Sequence, residues 1–394
     1  MKIANITFSL KGHKAVLSAD LIFNSGKKHE VYFEVDKKHK DFISKDASPF
    51  LAAALAICMK KNEDLEIDGS VSKYLMSSTP DIMKILKSWD LGFNPISIKA
   101  KLYIENSNNN NNVGCFFSGG VDSFYTYLKN RQKIKYLIFV HGFDISANDE
   151  ELYKKIEKNI MKIANEENVK LIKVKTNVRE IFDQYFDWIV SHEFAIASVA
   201  LFLRRGFKEI YASCGLTNVN ADHHYMSPDL DILWSTESMK INHYGCDANK
   251  IAKLRFLSHS ELAMKNLRVC WVNKKKAYNC CECEKCLRNM LGLYLSGSLG
   301  KCESFNKGLD LEKIKKIRVD EYVIKHFIAI LEVLKIKGER SSVRDALEVC
   351  IENNTKPKFW QKILWNSRDS IRFLDQKYNS NRLYWFFAKK GLVN

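Results

Sequence analysis

Short apolar runs alternate with amphipathic helical segments after residue 112, and this alternation limits the fold more than any other feature of the sequence. The apolar runs are VGCFF, KYLIFVHGF, VKLIKVKT and EIYASCG, each short enough for a buried strand. Between the second and third runs, apolar residues recur at helical spacing, namely Leu152, Ile156, Ile160 and Ile163. The pattern predicts an α/β fold with a parallel sheet, helices on both faces, and ligands at the carboxyl ends of the strands.

A polar low-complexity run separates these elements from the first hundred residues. It reads ENSNNNNNV, it buries nothing, and we predict a linker at 106–112. Residues 1–105 mix strand-like with helix-like runs and predict an N-terminal α+β domain. Residues 303–394 contain helix-like segments and predict a helical C-terminal subdomain. The domain that carries the chemistry is then expected at 113–302.

Length, charge and hydropathy narrow the class of protein. A chain of 394 residues is long for one compact core. The N-terminus has no apolar signal region, and no segment reaches the roughly 18 apolar residues of a membrane span, so we expect a cytoplasmic protein without a membrane partner. The formal charge of +16 is consistent with a nucleic-acid partner, but the lysines are spread along the whole chain, which favours solvated surfaces.

The stretch SGGVDS joins the first apolar run to a helix-like segment. A strand that enters a helix through glycines aims free backbone N–H groups at one point, where the helix dipole also favours negative charge. Gly119 and Gly120 let a ligand approach the backbone, and the hydroxyls of Ser118 and Ser123 can donate to phosphate oxygens. The Asp122 carboxylate would repel bare phosphate, so it acts either beside Mg²⁺ or as a group that holds the loop. A tight turn that needs glycine for geometry alone is the alternative.

The eleven cysteines point to metal binding rather than to disulfides, which do not persist in a reducing cytosol. One cysteine, a nine-residue gap and then C-x-x-C-x-x-C supply the four soft ligands that tetrahedral Zn²⁺ needs: Cys270, Cys280, Cys283 and Cys286. Such a closed site is normally structural. A redox C-x-x-C or an iron–sulfur cluster is the alternative. Cys281 is a spare that could replace a neighbour, whereas Cys214 and Cys302 are interpreted as a core thiol and an incidental one.

The glycine turn resembles that of a known superfamily. SGGVDS is similar to the signature of the PP-loop ATP pyrophosphatases, and it lacks the Gly-Lys-Ser/Thr ending of a Walker P-loop. The resemblance implies a Rossmann-like (HUP-type) sheet, and a loop that binds the pyrophosphate of ATP while a substrate oxygen is adenylylated. Ammonia, an amine or a sulfur donor then displaces AMP. The implied ATP-binding residues are Ser118, Gly119, Gly120, Val121, Asp122 and Ser123. Among these, Ser118, Asp122 and Ser123 are the expected catalytic residues.

The cysteine pattern after this turn resembles that of the cyano-deazaguanine synthases, the QueC-like branch of the superfamily. Members of this branch carry a zinc site of the same design, and they convert a deazaguanine carboxylic acid to an amide and then a nitrile with ATP and ammonia. The resemblance covers roughly residues 113–293. It extends to the loop CGLTNVNADHHYMSPDLD, which is similar to the branch's Asn, Asp and Tyr-Pro-Asp stretch through Asn220, Asp222, Tyr225, Pro228 and Asp229.

This loop is the expected substrate loop, and His223 and His224 within it could handle protons or bind the acid. Paired loop histidines of this kind are also common as plain surface residues. The sequence departs from the branch by an insertion, Met226-Ser227, and by Leu230-Asp231 in place of the usual Cys-Arg. These departures lie where the substrate base would be recognised.

Four further residues are candidates for the nucleotide site. Asp144, at the end of the second apolar run, is placed to contact nucleotide or metal, with a solvated or capping role as the alternative. Lys250 and Lys253 are candidates for the positive charge on the ATP phosphates or the adenylate. Arg288 either adds to that charge or packs over the zinc knuckle.

We therefore expect an ATP-dependent, AMP-forming ligase with ATP, Mg²⁺ and Zn²⁺ as cofactors, which joins a small-molecule carboxylate to ammonia or an amine donor. QueC-like proteins also occur in bacterial antiphage operons, and the additional N- and C-terminal regions favour a protein substrate or partner. One rival hypothesis is a tRNA-modifying PP-loop enzyme of the thiolase type, which needs a free reactive cysteine such as Cys281 or Cys214. The other is a nucleotide-binding subunit without catalysis.

Overall fold

The structure of the protein, a computed structural model, describes residues 1–105, 110–215 and 228–356. Over these ranges the chain is an α/β protein with a large, mostly parallel central sheet, so the predicted fold class is confirmed at this level. None of the helices in these ranges has the length and apolar character needed to span a membrane. The assignment to the HUP type stays a prediction.

The chain forms two compact units that alternate along the sequence. The first, which we name the sheet unit, comprises Met1–Ser118 and Tyr125–Asp247. The second, the helical unit, comprises Gly119–Phe124 and Ala248–Asn394. The glycine turn is therefore the point at which the chain first enters the helical unit.

All strands in the described ranges belong to one sheet of the sheet unit, in the order β10-β9-β6-β7-β8-β3-β2-β1-β4-β5. They are β1 (Lys2–Lys11), β2 (Lys14–Ile22), β3 (Lys28–Asp36), β4 (Leu65–Ser72), β5 (Ile98–Tyr103), β6 (Val113–Phe116), β7 (Tyr136–His141), β8 (Lys170–Thr176), β9 (Glu209–Ser213) and β10 (Lys240–Tyr244).

The helices of the sheet unit are α1 (Ser48–Lys61), α2 (Lys73–Ser88), α4 (Glu150–Glu166), α5 (Val178–Phe182), α6 (Trp188–Leu203) and α7 (Pro228–Leu233). Those of the helical unit are α8 (Lys250–Leu257), α9 (Glu261–Asn266), α10 (Glu284–Leu295), α11 (Leu311–Lys316), α12 (Glu321–Ile336) and α13 (Ser342–Thr355). The remaining helix, α3 (Val121–Lys129), begins in the helical unit and ends in the sheet unit.

The strands β6 to β10 are parallel to their neighbours within this group and create a topological switch point between β6 and β9. From β6 the chain adds β7 and β8 on one side, and it then crosses over to add β9 and β10 on the other. Doubly wound sheets bind ligands outside the carboxyl ends of the strands at such a point. β6 ends at this edge directly before the glycine turn.

The N-terminal strands are part of the same sheet, so the boundary lies elsewhere than predicted at residue 105. β3 pairs antiparallel with β8, and α1 packs on α6. Arg204, which is fully buried, forms ion pairs with Asp46 and Glu105. The end of the predicted linker is also fixed, because the Asn110 and Asn112 side-chain amides donate to the Gly206 carbonyl at 2.6 and 3.1 Å.

The described part of the predicted C-terminal subdomain is helical, as expected, but it is not separate from the cysteine-rich region. Leu287 and Leu291 of α10 share one apolar core with α11, α12 and α13. Both regions therefore belong to the helical unit. The helices predicted within 357–394 lie outside the described residues.

Candidate functional site

The SGGVDS stretch forms the predicted strand-to-helix turn between β6 and α3. Gly119 has φ +75°, a backbone conformation that L side chains rarely adopt, whereas a Cβ there would lie 3.7 Å from its nearest neighbour, the Cβ of Arg268. The position therefore needs glycine for its backbone conformation rather than for space. The Ser123 hydroxyl donates to the Gly120 carbonyl at 3.1 Å, across the start of α3.

Asp122, in the first turn of α3, accepts hydrogen bonds from two lysines of α8. Lys250 Nζ lies 2.5 Å from Asp122 Oδ2, and Lys253 Nζ lies 2.9 Å from Oδ1. The Asn249 side chain caps α8 by accepting from the Ala252 N–H at 2.9 Å, so α8 begins at Lys250. A spacing of three residues then places both lysines on one face of the helix. Both were predicted as cations of the nucleotide site, but their contact with Asp122 was not.

These charges alter one another's protonation. Burial opposes ionisation of Asp122, but Lys250 and Lys253 outweigh that effect and hold the pKa of this carboxyl well below its usual range. Burial also lowers the pKa of Lys250 to about 8; Asp122 opposes this change, whereas Lys253 and Arg288 add to it. Two ammonium groups facing one carboxylate leave a positive charge in excess beside the turn. The group is therefore suited to an anionic ligand.

Arg268, which the sequence analysis missed, adds a buried guanidinium to this region. Its backbone N–H donates to the Gly119 carbonyl at 2.8 Å, and its Nη2 donates to Asn273 Oδ1 at 2.8 Å. The side chain is 3% exposed, its Nε has no hydrogen-bond partner, and no carboxylate pairs with it among the residues that the structure describes. Because an uncompensated buried charge is costly, this guanidinium is also suited to an anion.

The four predicted metal cysteines converge in a buried cluster. The sulfur atoms of Cys270 and Cys283 lie 4.0 Å apart, and those of Cys280 and Cys286 lie 3.8 Å apart. Zn–S bonds of about 2.3 Å in a tetrahedron place sulfur atoms about 3.8 Å apart. Hydrogen bonds from Cys280 and the other two thiols lower the pKa of Cys270, which favours the metal-binding thiolate. The prediction of a four-cysteine site that could hold a metal such as zinc is confirmed.

Asn279 joins the two halves of this centre. Its Oδ1 accepts from the backbone N–H groups of Val269 and Cys270, at 2.9 and 3.2 Å, and its Nδ2 donates to the Leu267 carbonyl at 2.8 Å. The residue immediately before Cys280 is thereby tied to the segment that carries Cys270. The position of Asn279 directly before a metal cysteine is the only sequence signal for this role, and the sequence analysis did not predict it.

Cys281 lies outside the cluster and is therefore not a substitute ligand in this arrangement. Its thiol contacts Asn306 Oδ1 at 3.5 Å, and burial raises its pKa. A buried thiol with a raised pKa is a poor nucleophile.

Hydrogen bonds within the helical unit connect the metal centre to the glycine turn. Arg268 donates to Gly119 through its backbone and to Asn273 through its side chain, while the Asn273 N–H donates to Cys270 Sγ at 3.3 Å. The Tyr278 hydroxyl donates to the Asn266 carbonyl at 2.7 Å and lies 3.9 Å from the ideal Cβ position of Gly119. A metal bound by the cysteines would therefore fix the segment against which the turn rests.

Arg288 follows the last metal cysteine within α10. It forms an ion pair with Glu284 at 3.7 Å, and its charge contributes to the lowered pKa of Lys250. The ion pair is consistent with packing beside the four-cysteine centre. The charge of Arg288 also disfavours the charged form of Lys250.

Two of the remaining predicted site residues belong to the sheet unit. Asp144 lies half-buried after β7 in the sheet unit, and Asp229 is exposed in α7. Four residues of the predicted substrate loop lie outside the described residues: Asn220, Asp222, His223 and Tyr225. His224 lies there too.

One expectation about the cysteines is wrong. Cys214 is not a free core thiol but forms a disulfide with Cys246, with 5.4 Å between their Cα atoms. The physical reason is the sheet: β9 and β10 are parallel neighbours, and each cysteine follows the carboxyl end of one of them. Cys302 is buried, and burial raises its pKa.

Chemically, the helical unit thus offers backbone N–H groups at the start of α3, two lysines held by one carboxylate, a buried guanidinium, and a metal centre that supports them. Comparison of the chain with family models, with curated proteins and with solved structures found no match in any of the three.

Proposed function

We propose that the protein is an ATP-dependent, AMP-forming ligase that adenylylates a carboxylate and transfers the acyl group to ammonia or an amine. The observation that carries the proposal is the glycine turn at the start of α3 together with Asp122, which holds Lys250 and Lys253 beside it. The residues of the turn resemble the PP-loop, and the four-cysteine centre resembles that of the QueC-like branch. The proposal includes the HUP type of Rossmann-like fold.

Each group has a role in binding the leaving pyrophosphate. The N–H groups at the start of α3 would donate to its oxygens, where the helix dipole also favours negative charge. Asp122 would keep the ammonium groups of Lys250 and Lys253 in position to neutralise the charge that develops as pyrophosphate leaves. Arg268 would supply a further cation through the Nε of its buried guanidinium, which has no hydrogen-bond partner among the residues that the structure describes.

Asp122 is better suited to holding the lysines than to binding Mg²⁺. Both of its carboxylate oxygens already accept from ammonium groups. Mg²⁺ in nucleotide sites is commonly bound by substrate phosphates and water with few protein ligands. We therefore propose Mg²⁺ as a companion of ATP, without assigning it a protein carboxylate.

The reaction proceeds in two steps. A carboxylate oxygen attacks the α-phosphorus of ATP and forms an acyl-adenylate as pyrophosphate leaves. Ammonia or an amine then attacks the acyl carbon, loses a proton and displaces AMP. We propose a deazaguanine acid as the first acid to test, and an acidic group on a protein as the second. Work in an antiphage system stays a prediction.

The two rivals are distinguishable. A thiolase-type enzyme needs a reactive thiol, but Cys281 is buried with a raised pKa and Cys214 is in a disulfide, which disfavours it. A nucleotide-binding subunit would bind ATP without turnover.

The test is incubation of the full chain with ATP, Mg²⁺, ammonium and a panel of carboxy-deazaguanines, followed by chromatographic separation of AMP from ADP. The control is the double variant Ser118→Ala plus Asp122→Ala. AMP and pyrophosphate that depend on the acid and disappear in the control would support the ligase. ADP as the product, or ATP binding without turnover for any acid supplied, would contradict it.

A further inference from the structure

Three metal-ligating side chains meet at the end of the sheet, outside the site described above. Cys214 directly follows β9, His243 lies in β10, and Cys246 follows β10. One ligand atom from each lies within 4.8 Å of the other two. The parallel pairing of β9 with β10, in which Ala212 is opposite His243, brings the three together.

A buried carboxylate orients the histidine of this group. His243 Nδ1 lies 2.5 Å from Asp231 Oδ2, to which it donates. Asp231 is 2% exposed, and within the described part of the chain its Oδ1 has no hydrogen-bond partner. A metal-ligating histidine commonly donates a hydrogen bond from the N–H of its other ring nitrogen to a carboxylate in this way. The arrangement leaves Nε2 available for a metal ion, whose positive charge would compensate that of the buried carboxylate.

We propose that the reduced protein binds a second metal ion, of the zinc type, through Cys214, Cys246 and His243, with Asp231 as a positioning residue. Two thiolates and one imidazole are a ligand set that Zn²⁺ accepts. Three protein ligands leave the fourth tetrahedral position for water or a substrate atom. This metal site is independent of the proposed ligase function, so a test of one does not decide the other.

The disulfide in the structure is the oxidised form of the same site. Hydrogen peroxide converts one form to the other: one thiolate attacks a peroxide oxygen, the O–O bond breaks, hydroxide leaves and is protonated to water, and a sulfenic acid forms. The second thiolate then attacks that sulfur, the S–S bond forms, and hydroxide leaves and is protonated. The two sulfur atoms lose two electrons, the peroxide becomes water, and the metal is released because its thiolate ligands are gone. A dithiol returns the electrons and restores the site.

The direct test is the zinc content of the full chain, purified and dialysed under reducing conditions. We expect two equivalents of zinc per chain in the wild type, one in Cys214→Ser and in Cys246→Ser, and two in Cys115→Ala, which removes a buried cysteine of neighbouring β6. Hydrogen peroxide at low concentration should release one equivalent, and a dithiol with added Zn²⁺ should restore it. One equivalent in the wild type, unchanged in the serine variants, would overturn the proposal.

A second test covers the case in which the serine variants do not fold. Asp231→Asn keeps the shape of the side chain and should weaken the second zinc by about 10- to 100-fold in competition with a chelator, as loss of an outer carboxylate does at other zinc sites. His243→Gln should abolish that zinc while the four-cysteine zinc remains. An unchanged affinity of the second zinc in both variants would overturn the assignment.

Discussion

The ammonium group of Lys253, which is 1% exposed, lies 2.9 Å from a carboxylate oxygen of Asp122, and the other oxygen faces Lys250. The aspartate that would repel a phosphate is therefore the group that holds two cations beside the glycine turn. Removal of this carboxylate would take away the counter-ion that the two ammonium groups share.

Asp122→Asn should lower the free energy of unfolding by about 3 kcal/mol, the usual cost of breaking one side of a buried ion pair. Because the pKa of Asp122 is lower in the folded chain than in the unfolded one, its stabilisation is present in full above about pH 4 and is lost as the pH falls further. The difference between variant and wild type should therefore shrink in acid. Urea unfolding over a pH series measures it.

The control for this variant is Glu261→Gln, which breaks an exposed pair with Lys265 in the same unit. An exposed pair contributes little. Equal effects of the two substitutions on the free energy of unfolding would show that the buried pairs of Asp122 stabilise the fold no more than an exposed ion pair does.

ATP affinity should fall as the pH rises through about 8. The pKa of Lys250 is about 8, far below the ordinary lysine value, so the unliganded protein loses this charge there. Phosphate would favour the charged form, so binding takes up a proton, and the affinity should fall by up to about tenfold per pH unit until the pKa of the complex is reached. Lys250→Arg keeps the charge and should remove this dependence. A flat profile in the wild type, measured by calorimetry, would contradict the role of Lys250.

Cys283→Ser should lose the zinc of the four-cysteine centre and bind ATP at least about tenfold more weakly, because Arg268 and the turn rest on that centre. Cys281→Ser is the matched control: this thiol is adjacent and buried but lies outside the cluster. It should keep both zinc and ATP binding. Metal analysis combined with a nucleotide-binding measurement decides between them, and loss of zinc in both variants would refute the assignment of ligands.

Arg268→Gln should weaken ATP binding by about tenfold or more, since a hydrogen bond to a charged group contributes about 1.5–3 kcal/mol. Glutamine still offers a donor to Asn273 but removes an uncompensated buried charge, so the free energy of unfolding should not fall. Arg255→Gln, which removes an exposed charge from α8, should change neither quantity. If Arg268→Gln destabilised the protein and left ATP affinity intact, the residue would be structural only.

The features that the sequence predicted depend on residues close together in the chain. The glycine turn and the four cysteines each lie within a short stretch, and the strand–helix alternation of 113–215 is a local period. The features that were not predicted depend on distant pairs. β3 pairs with β8, and Arg204 is neutralised by Asp46, which lies 158 residues away. No local sequence pattern indicates such contacts.

The disulfide shows the same limit. Cys214 and Cys246 are 32 residues apart, and only the crossover that makes β9 and β10 neighbours brings them together. A reducing compartment disfavours disulfides in general, so free thiols were expected throughout the chain. Asp231, which was noted only as a departure from the expected loop, is the partner of His243.

Exchange of labelled pyrophosphate into ATP tests the central claim most directly, because it reports adenylylation without requiring the amine. The full chain would be incubated with ATP, Mg²⁺, labelled pyrophosphate and each candidate acid, in parallel with Asp122→Asn. We predict exchange that requires the acid and is lost in the variant. Tight ATP binding without acid-dependent exchange, for deazaguanine acids and acidic protein substrates alike, would contradict the ligase and favour a nucleotide-binding subunit.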